Sequence, residues 1–198
     1  MNYLAHIYLS GNDEELLFGN FIADHVKGSV FVQFDLQVQM GIRLHRSIDS
    51  FTDAHAATEA GKKLLYPFTG KYAPVAMDII MDHFLAAGWD HFHPLPLSDF
   101  TDDVYRILDA KTGTMPEKTR FMYGYMKRDN WLYNYSKVEG IEKALRGLSR
   151  RSSNPLLLAN SVEALKKHYN ELEQVFLNFF PALQVHVEEE IQRLRRKQ

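Results

Sequence analysis

The chain contains no cysteine. That absence excludes disulfides, zinc–thiolate sites and thiol nucleophiles, and it suits a reducing compartment. Long apolar runs are missing as well. None approaches the roughly 18 residues a membrane helix needs, and no basic segment leads into an apolar stretch at the start, so neither a membrane span nor a signal peptide is expected. Charge of one sign is not in excess. The 23 Lys and Arg against 25 Asp and Glu leave a formal net charge of −2, so no global field points to nucleic acid or a membrane surface. The expectation is a cytoplasmic protein with no nucleic-acid and no membrane partner. Its 198 residues, 45% hydrophobic and 24% charged, match one globular domain with a full core, taken as 1–198. No internal repeat, low-complexity tract or linker interrupts it.

What is present is helical spacing nearly throughout, which predicts an all-α fold, a multi-helix bundle. Asp13-Glu14-Glu15 opens a helix that runs through Val26, with Gly28 to end it. Residues 30–38 alternate weakly and read as an extended connector or a helix start. Helices follow over 40–53, 54–67 and 73–88. Ser98 can cap one over 99–111, and Pro116 suits the first turn of one reaching about 130. The aromatic stretch 121–135 reads as core. A helix over 138–149 meets a basic, serine-rich turn, and 156–180 spaces its apolar residues by three and four. Pro181 should kink or divide that last stretch from 182–196.

Two segments carry polar groups where a plain core would exclude them. In 41–53, His45, Asp49 and Asp53 stack at i, i+4 intervals beside the apolar stripe of Leu44, Ile48 and Phe51. An intrahelical ladder, with Arg46 reaching Asp49 or Ser50, is the simpler alternative. In 75–85 a helix apolar almost all round is interrupted by Asp78, Asp82 and His83. Buried carboxylates need partners, either arginines or a cation. His6 lies in another apolar run, where a hydrogen-bonded core histidine is the ordinary reading, and Asn20 and Asp24 sit four apart. Together His6, Asp24, His45, Asp49, Asp82 and His83 offer nitrogen and oxygen donors without sulfur. Such a set suits Mn²⁺, Mg²⁺, Fe or Zn²⁺, and manganese better than copper. Arg43 and Arg46 are placed to hold a phosphate bidentately. The residue types point to metal-assisted hydrolysis of a phosphate ester.

Four motifs carry a resemblance: residues 1–6 (Met-Asn-Tyr-Leu-Ala-His), 19–24 (Gly-Asn-Phe-Ile-Ala-Asp), 41–53, and 78–85 (Asp-Ile-Ile-Met-Asp-His-Phe-Leu). In order and spacing, over roughly the whole chain, they resemble the acyl carrier protein phosphodiesterase family. The resemblance implies an HD-like helical bundle, an unusual branch of the HD-type phosphohydrolases, using manganese. It also implies the reaction: cleavage of the phosphodiester joining 4′-phosphopantetheine to a serine of holo-acyl carrier protein, giving apo-carrier. Ordinary HD enzymes have adjacent His-Asp, whereas here Asp24-His25 and Asp82-His83 run in the opposite order. The six donors are therefore carried over as a pool for a site formed mainly by residues 1–90, some of them holding a ligand rather than the ion. Asp53 or Asp78 would orient a ligand or move a proton, and Arg43 and Arg46 would hold the phosphate. Lys27, Lys62-Lys63 or Arg150-Arg151 would meet the acidic carrier. An HD-type hydrolase of a nucleotide or other small phosphodiester is the alternative enzyme. A helical interaction protein, its acids and histidines forming only salt bridges, is the alternative without catalysis.

Overall fold

A computed structural model describes residues 1–149 and 158–196. The expected basic turn at 149–154 lies outside the described residues save for its first residue, as do Arg150, Arg151 and Lys197. Among the described residues there are eleven α-helices and no strand: α1 Tyr3–Tyr8, α2 Glu14–Ile22, α3 Leu36–Ala54, α4 Ala56–Thr69, α5 Ala73–Ala87, α6 Leu97–Ala110, α7 Glu117–Arg128, α8 Trp131–Asn134, α9 Val138–Ser149, α10 Ser161–Lys167 and α11 Tyr169–Arg195. The expected all-α class is what forms. None of these helices is long and apolar enough to cross a membrane.

Two helix contacts position the polar residues. The first is the crossing of α2 and α3. Asp13 caps α2 by accepting from the backbone N–H groups of Glu15 and Leu16, as an acidic N-cap should. The helix then buries every residue from Leu16 to Ile22. It meets α3 at Gly19 and Gly41, where a Cβ on Gly41 would fall 2.2 Å from the Leu16 carbonyl oxygen and one on Gly19 would fall 2.1 Å from that of Val38. Only glycine permits this approach, because any side chain would meet backbone that cannot move aside. The close crossing brings Asn20 and Asp24 against the His45 turn of α3.

The second contact seats α1 on α5. Asn2 stands at the N-cap of α1 but makes no side-chain cap bond. Instead Asp82, fully buried on α5, accepts from the backbone N–H of Asn2 at 3.1 Å, Leu4 at 2.7 Å and Ala5 at 3.3 Å. One carboxylate from another helix thus satisfies donors that a helix start leaves open. Around this pair α11 packs along α3 and α4, and α4 along α5.

Several boundaries differ from expectation. α2 ends at Ile22, not near Gly28; its last turn tightens to a 3-10 turn over Ala23–His25, and Val26 is extended. Residues 28–33 form a second 3-10 segment, and α3 starts at Leu36 rather than 40. Ser98 does not cap α6, which begins at Leu97 behind Pro96; its hydroxyl bonds Asp99. Pro181 does not divide α11. Phe176, Phe179, Phe180 and Leu183 around it are all buried, and that packing outweighs one lost backbone bond. The break falls instead at His168, between α10 and α11.

Candidate metal centre

α1, α2 and α3 each contribute to one polar cluster. Asn20, fully buried on α2, is its hub. Its side-chain nitrogen donates to the His6 carbonyl at 2.8 Å and to Ser10 Oγ at 3.0 Å. Ser10 Oγ in turn donates to the His6 carbonyl at 2.9 Å. Both amide hydrogens are used, so the amide orientation is settled by the network. The Asn20 Oδ1 then faces His6 Nδ1 at 2.8 Å and His45 Nδ1 at 3.1 Å. An amide oxygen only accepts, so both rings must carry a hydrogen on Nδ1.

The consequence appears on the other side of the rings. The imidazoles stack 4.1 Å apart at 20°, and both Nε2 atoms are turned to Asp49. His6 Nε2 lies 3.2 Å from Asp49 Oδ1, and His45 Nε2 lies 3.1 Å from Oδ2 and 3.2 Å from Asp24 Oδ1. Burial opposes protonation of His45, yet hydrogen bonds and charge from Asp24 and Asp49 outweigh it and raise its pKa to about 9. Burial, and then the adjacent His45 charge, lower His6 to about 4. Burial lifts Asp49, but the two histidines outweigh it and hold the carboxyl well below its usual range. The hydrogen bond to His45 lowers Asp24. At neutral pH His6 is therefore neutral with its hydrogen on Nδ1. Its Nε2 lone pair faces a carboxylate oxygen, two acceptors with no proton between them. A cation there would resolve that contact.

Donor atoms of His6, His45 and Asp49 lie within 4.8 Å of one another. Separations near 3 Å are those of neighbouring ligands in an octahedral site with bonds of about 2.1 Å. The residues thus fit a divalent ion. Asn20, missing from the sequence-level pool, plays the part that outer-shell partners play for metal-binding histidines. The signals for it in the sequence were its i, i+4 spacing to Asp24 inside an otherwise apolar helix and its place in the 19–24 motif. Asn20→Leu is expected to weaken Mn²⁺ binding by about 10–100-fold. Free Mn²⁺ measured by electron paramagnetic resonance during titration checks this, and nitrogen-15 NMR should find the Nδ1–H tautomer of His6 in the metal-free parent.

The remaining predicted residues fall elsewhere. Asp82 caps α1 with both oxygens, as described. His83 is a core histidine, its Nδ1 2.8 Å from the Tyr135 carbonyl and its Nε2 3.1 Å from the Tyr169 hydroxyl. Neither joins the cluster. Asp78 and Asp53 line the same cleft as the cluster, but Asp78 holds the Met1 ammonium at 2.8 Å and Asp53 pairs with Lys62 at 3.2 Å. Arg43 and Arg46 are not among the residues lining that cleft. Their guanidinium groups sit over Phe31, 5.0 and 5.7 Å from the ring centre, and Arg46 donates to the Val26 carbonyl.

The cleft measures about 1540 Å³. The cluster occupies one wall, while α7, α8 and α9 form the other through Lys118, Phe121, Tyr125, Arg128, Trp131 and Lys143. The aromatic stretch is thus divided. Met122, Tyr123, Met126 and Tyr135 are core, as expected, but Phe121 and Tyr125 are 62% and 38% exposed and border the site.

Comparison with known proteins gives the family. A family model described as acyl carrier protein phosphodiesterase matches residues 1–183. Curated relatives bearing that name include one from Photorhabdus laumondii subsp. laumondii, 32% identical over 182 residues, covering 91% of this chain and 92% of the relative. Another, from Serratia proteamaculans, is 31% identical over 184 residues, 92% of this chain and 95% of the relative. No solved structure matches.

Proposed function

The chain belongs to the acyl carrier protein phosphodiesterase family, and from that premise we propose that it hydrolyses the phosphodiester joining 4′-phosphopantetheine to holo-acyl carrier protein, releasing apo-carrier. We assign the ion-binding set to His6, His45 and Asp49, with Asp24 as the fourth donor on the exposed side of His45. The observation that carries the assignment is the convergence of His6 Nε2 on Asp49 Oδ1 at 3.2 Å and of His45 Nε2 on Asp49 Oδ2 at 3.1 Å, with Asn20 Oδ1 against both Nδ1 atoms. A divalent cation bound there, Mn²⁺ by the hardness of the donors, supplies Lewis-acid stabilisation of phosphoryl charge and activation of water.

The chain's own groups do the rest. Asn20 holds both rings in one tautomer and one orientation, so the donor set is preorganised. Asp53 stands one turn beyond Asp49 on α3, 72% exposed on the cleft wall, and is the carboxylate available to shuttle a proton to the departing serine oxygen. Asp78 and Asp82 act on α1, which carries His6, rather than on substrate.

Purified protein with Mn²⁺ should convert holo-carrier to apo-carrier, read by mass spectrometry as loss of one phosphopantetheine group. Chelation should stop the reaction and added Mn²⁺ restore it, and Asp24→Ala should abolish it. Preference for free nucleotides over holo-carrier in the same assay would favour the alternative hydrolase and overturn the carrier assignment.

A further inference from the structure

The wall of the cleft facing the cluster has a pattern of its own. Lys118, Phe121, Tyr125 and Arg128 recur at intervals of three, four and three on α7, so they share one face of that helix. All four are exposed and all four line the cleft. The rings of Phe121 and Tyr125 meet edge to face, 5.1 Å apart, and the Arg128 guanidinium lies 4.9 Å from the Tyr125 ring centre. Lys118 makes no hydrogen bond or ion pair among the described residues. Across from it on α9, exposed Lys143 joins the wall beside Gly140 and Ala144. This wall is an apolar strip with Lys118 at one end and Lys143 on the neighbouring helix. At the other end Arg128 is held by Asp129 through two hydrogen bonds of 2.7 Å, and Glu117 and Asp129 also line the cleft. Phe121, 62% exposed, meets the Tyr125 ring on this face, so the strip presents joined apolar surface to the cleft.

The strip is tied directly to the metal centre. His25, next to Asp24, has its Nδ1 2.9 Å from Thr119 Oγ1, so the α7 strip begins one residue from a contact with the cluster's own turn. The basic groups expected from sequence to meet the carrier do not compete for this role. Lys62 is buried and paired with Asp53, Lys27 and Lys63 are not among the residues lining the cleft, and Arg150-Arg151 lie outside the described residues.

We propose that this α7–α9 strip is the docking surface for the carrier protein, receiving an acidic amphipathic helix of the carrier. The carrier's carboxylates would face Lys118 and Lys143, and its apolar residues would cover Phe121 and Tyr125. The inference rests on the reading of the protein as a carrier phosphodiesterase. Charge decides the orientation. The opposite wall carries Asp24, Asp49, Asp53 and Asp78, with no lysine or arginine among its described residues that line the cleft, so an acidic carrier body sits on the wall that carries Lys118 and Lys143. Only its phosphodiester then crosses to the cluster.

The test is binding of purified holo-carrier to the full-length, metal-free protein by calorimetry, with steady-state turnover measured beside it. Lys118→Glu/Lys143→Glu is expected to raise Kd and KM about tenfold or more, more steeply at low salt, with kcat at saturation within about twofold. Phe121→Ala should raise both constants without changing their salt dependence. Lys27→Glu, at an exposed cation outside the cleft, should bind as the parent does. An unchanged Kd in the double variant, or an equal loss in Lys27→Glu, overturns the docking assignment. Tight, salt-sensitive binding without turnover by the parent would leave the docking surface standing and remove the functional reading. Absence of any binding by the parent removes both.

Discussion

Asp49→Ala is expected to lower kcat/KM for holo-carrier by about a thousandfold or more, a larger effect than the roughly 10–100-fold of outer-shell changes. Asp49 reaches both rings, Oδ1 to His6 and Oδ2 to His45. Removing it leaves two stacked imidazoles with Asp24 alone, on one side, and a pair of nitrogens does not hold a hard divalent ion well. The loss should be visible without any turnover. One of the carboxylates that raise His45 to about 9 is gone, so the His45 pKa followed by NMR in the metal-free variant should fall. In the parent, taking up the ion must displace the His45 proton, because the rings bind metal only when neutral. His6, lowered to about 4, has none to give near neutrality. Mn²⁺ affinity should therefore rise about tenfold per pH unit up to about pH 9 and then level off. A flat profile between pH 6 and 8 would show that His45 is not a ligand.

Part of this centre was legible in the sequence, for identifiable reasons. The i, i+4 row on α3 put His45, Asp49 and Asp53 on one stripe, and helical geometry kept them there. His6 and Asp24 are nominated only as part of the pooled donor set and through the resemblance, since a lone histidine in an apolar run reads first as a core histidine. What the sequence does not display is who the partner is. Asp82 and His83 raised the same question as Asp49 and have a different answer: the N–H groups of α1 for one, the Tyr135 carbonyl and Tyr169 hydroxyl for the other. Those partners are backbone groups and hydroxyls from distant segments, and residue type does not announce them. The meeting of α2 and α3 was equally hidden, since Gly19 and Gly41 look like any helical glycines until the backbones approach. Arg43 and Arg46 are nominated because their charge suits phosphate; the turn of α3 that points His45 inward points them outward over Phe31.

Asp82→Ala is expected to destabilise the metal-free protein by about 3–5 kcal/mol, because it strips a fully buried group from partners that have no substitute. The N–H groups of Asn2, Leu4 and Ala5 would lose their acceptor away from water. A helix of six residues has little stability of its own to hold α1 in place without it. Burial raises the Asp82 pKa to about 7, against the pull of the Met1 ammonium and the three backbone donors. A carboxyl with a raised pKa in the fold contributes stability that is fully present below its ordinary unfolded value and is lost as pH rises through about 7. The gap between parent and variant in denaturant unfolding should thus be widest at acid pH, narrow toward pH 7 and level off above it. The same experiment separates two roles for this residue. Were Asp82 an ion ligand only, its removal would spare the metal-free protein and weaken Mn²⁺ binding alone. As the cap of α1 it does the reverse in order: the metal-free fold loosens first, and ion binding weakens because α1 carries His6.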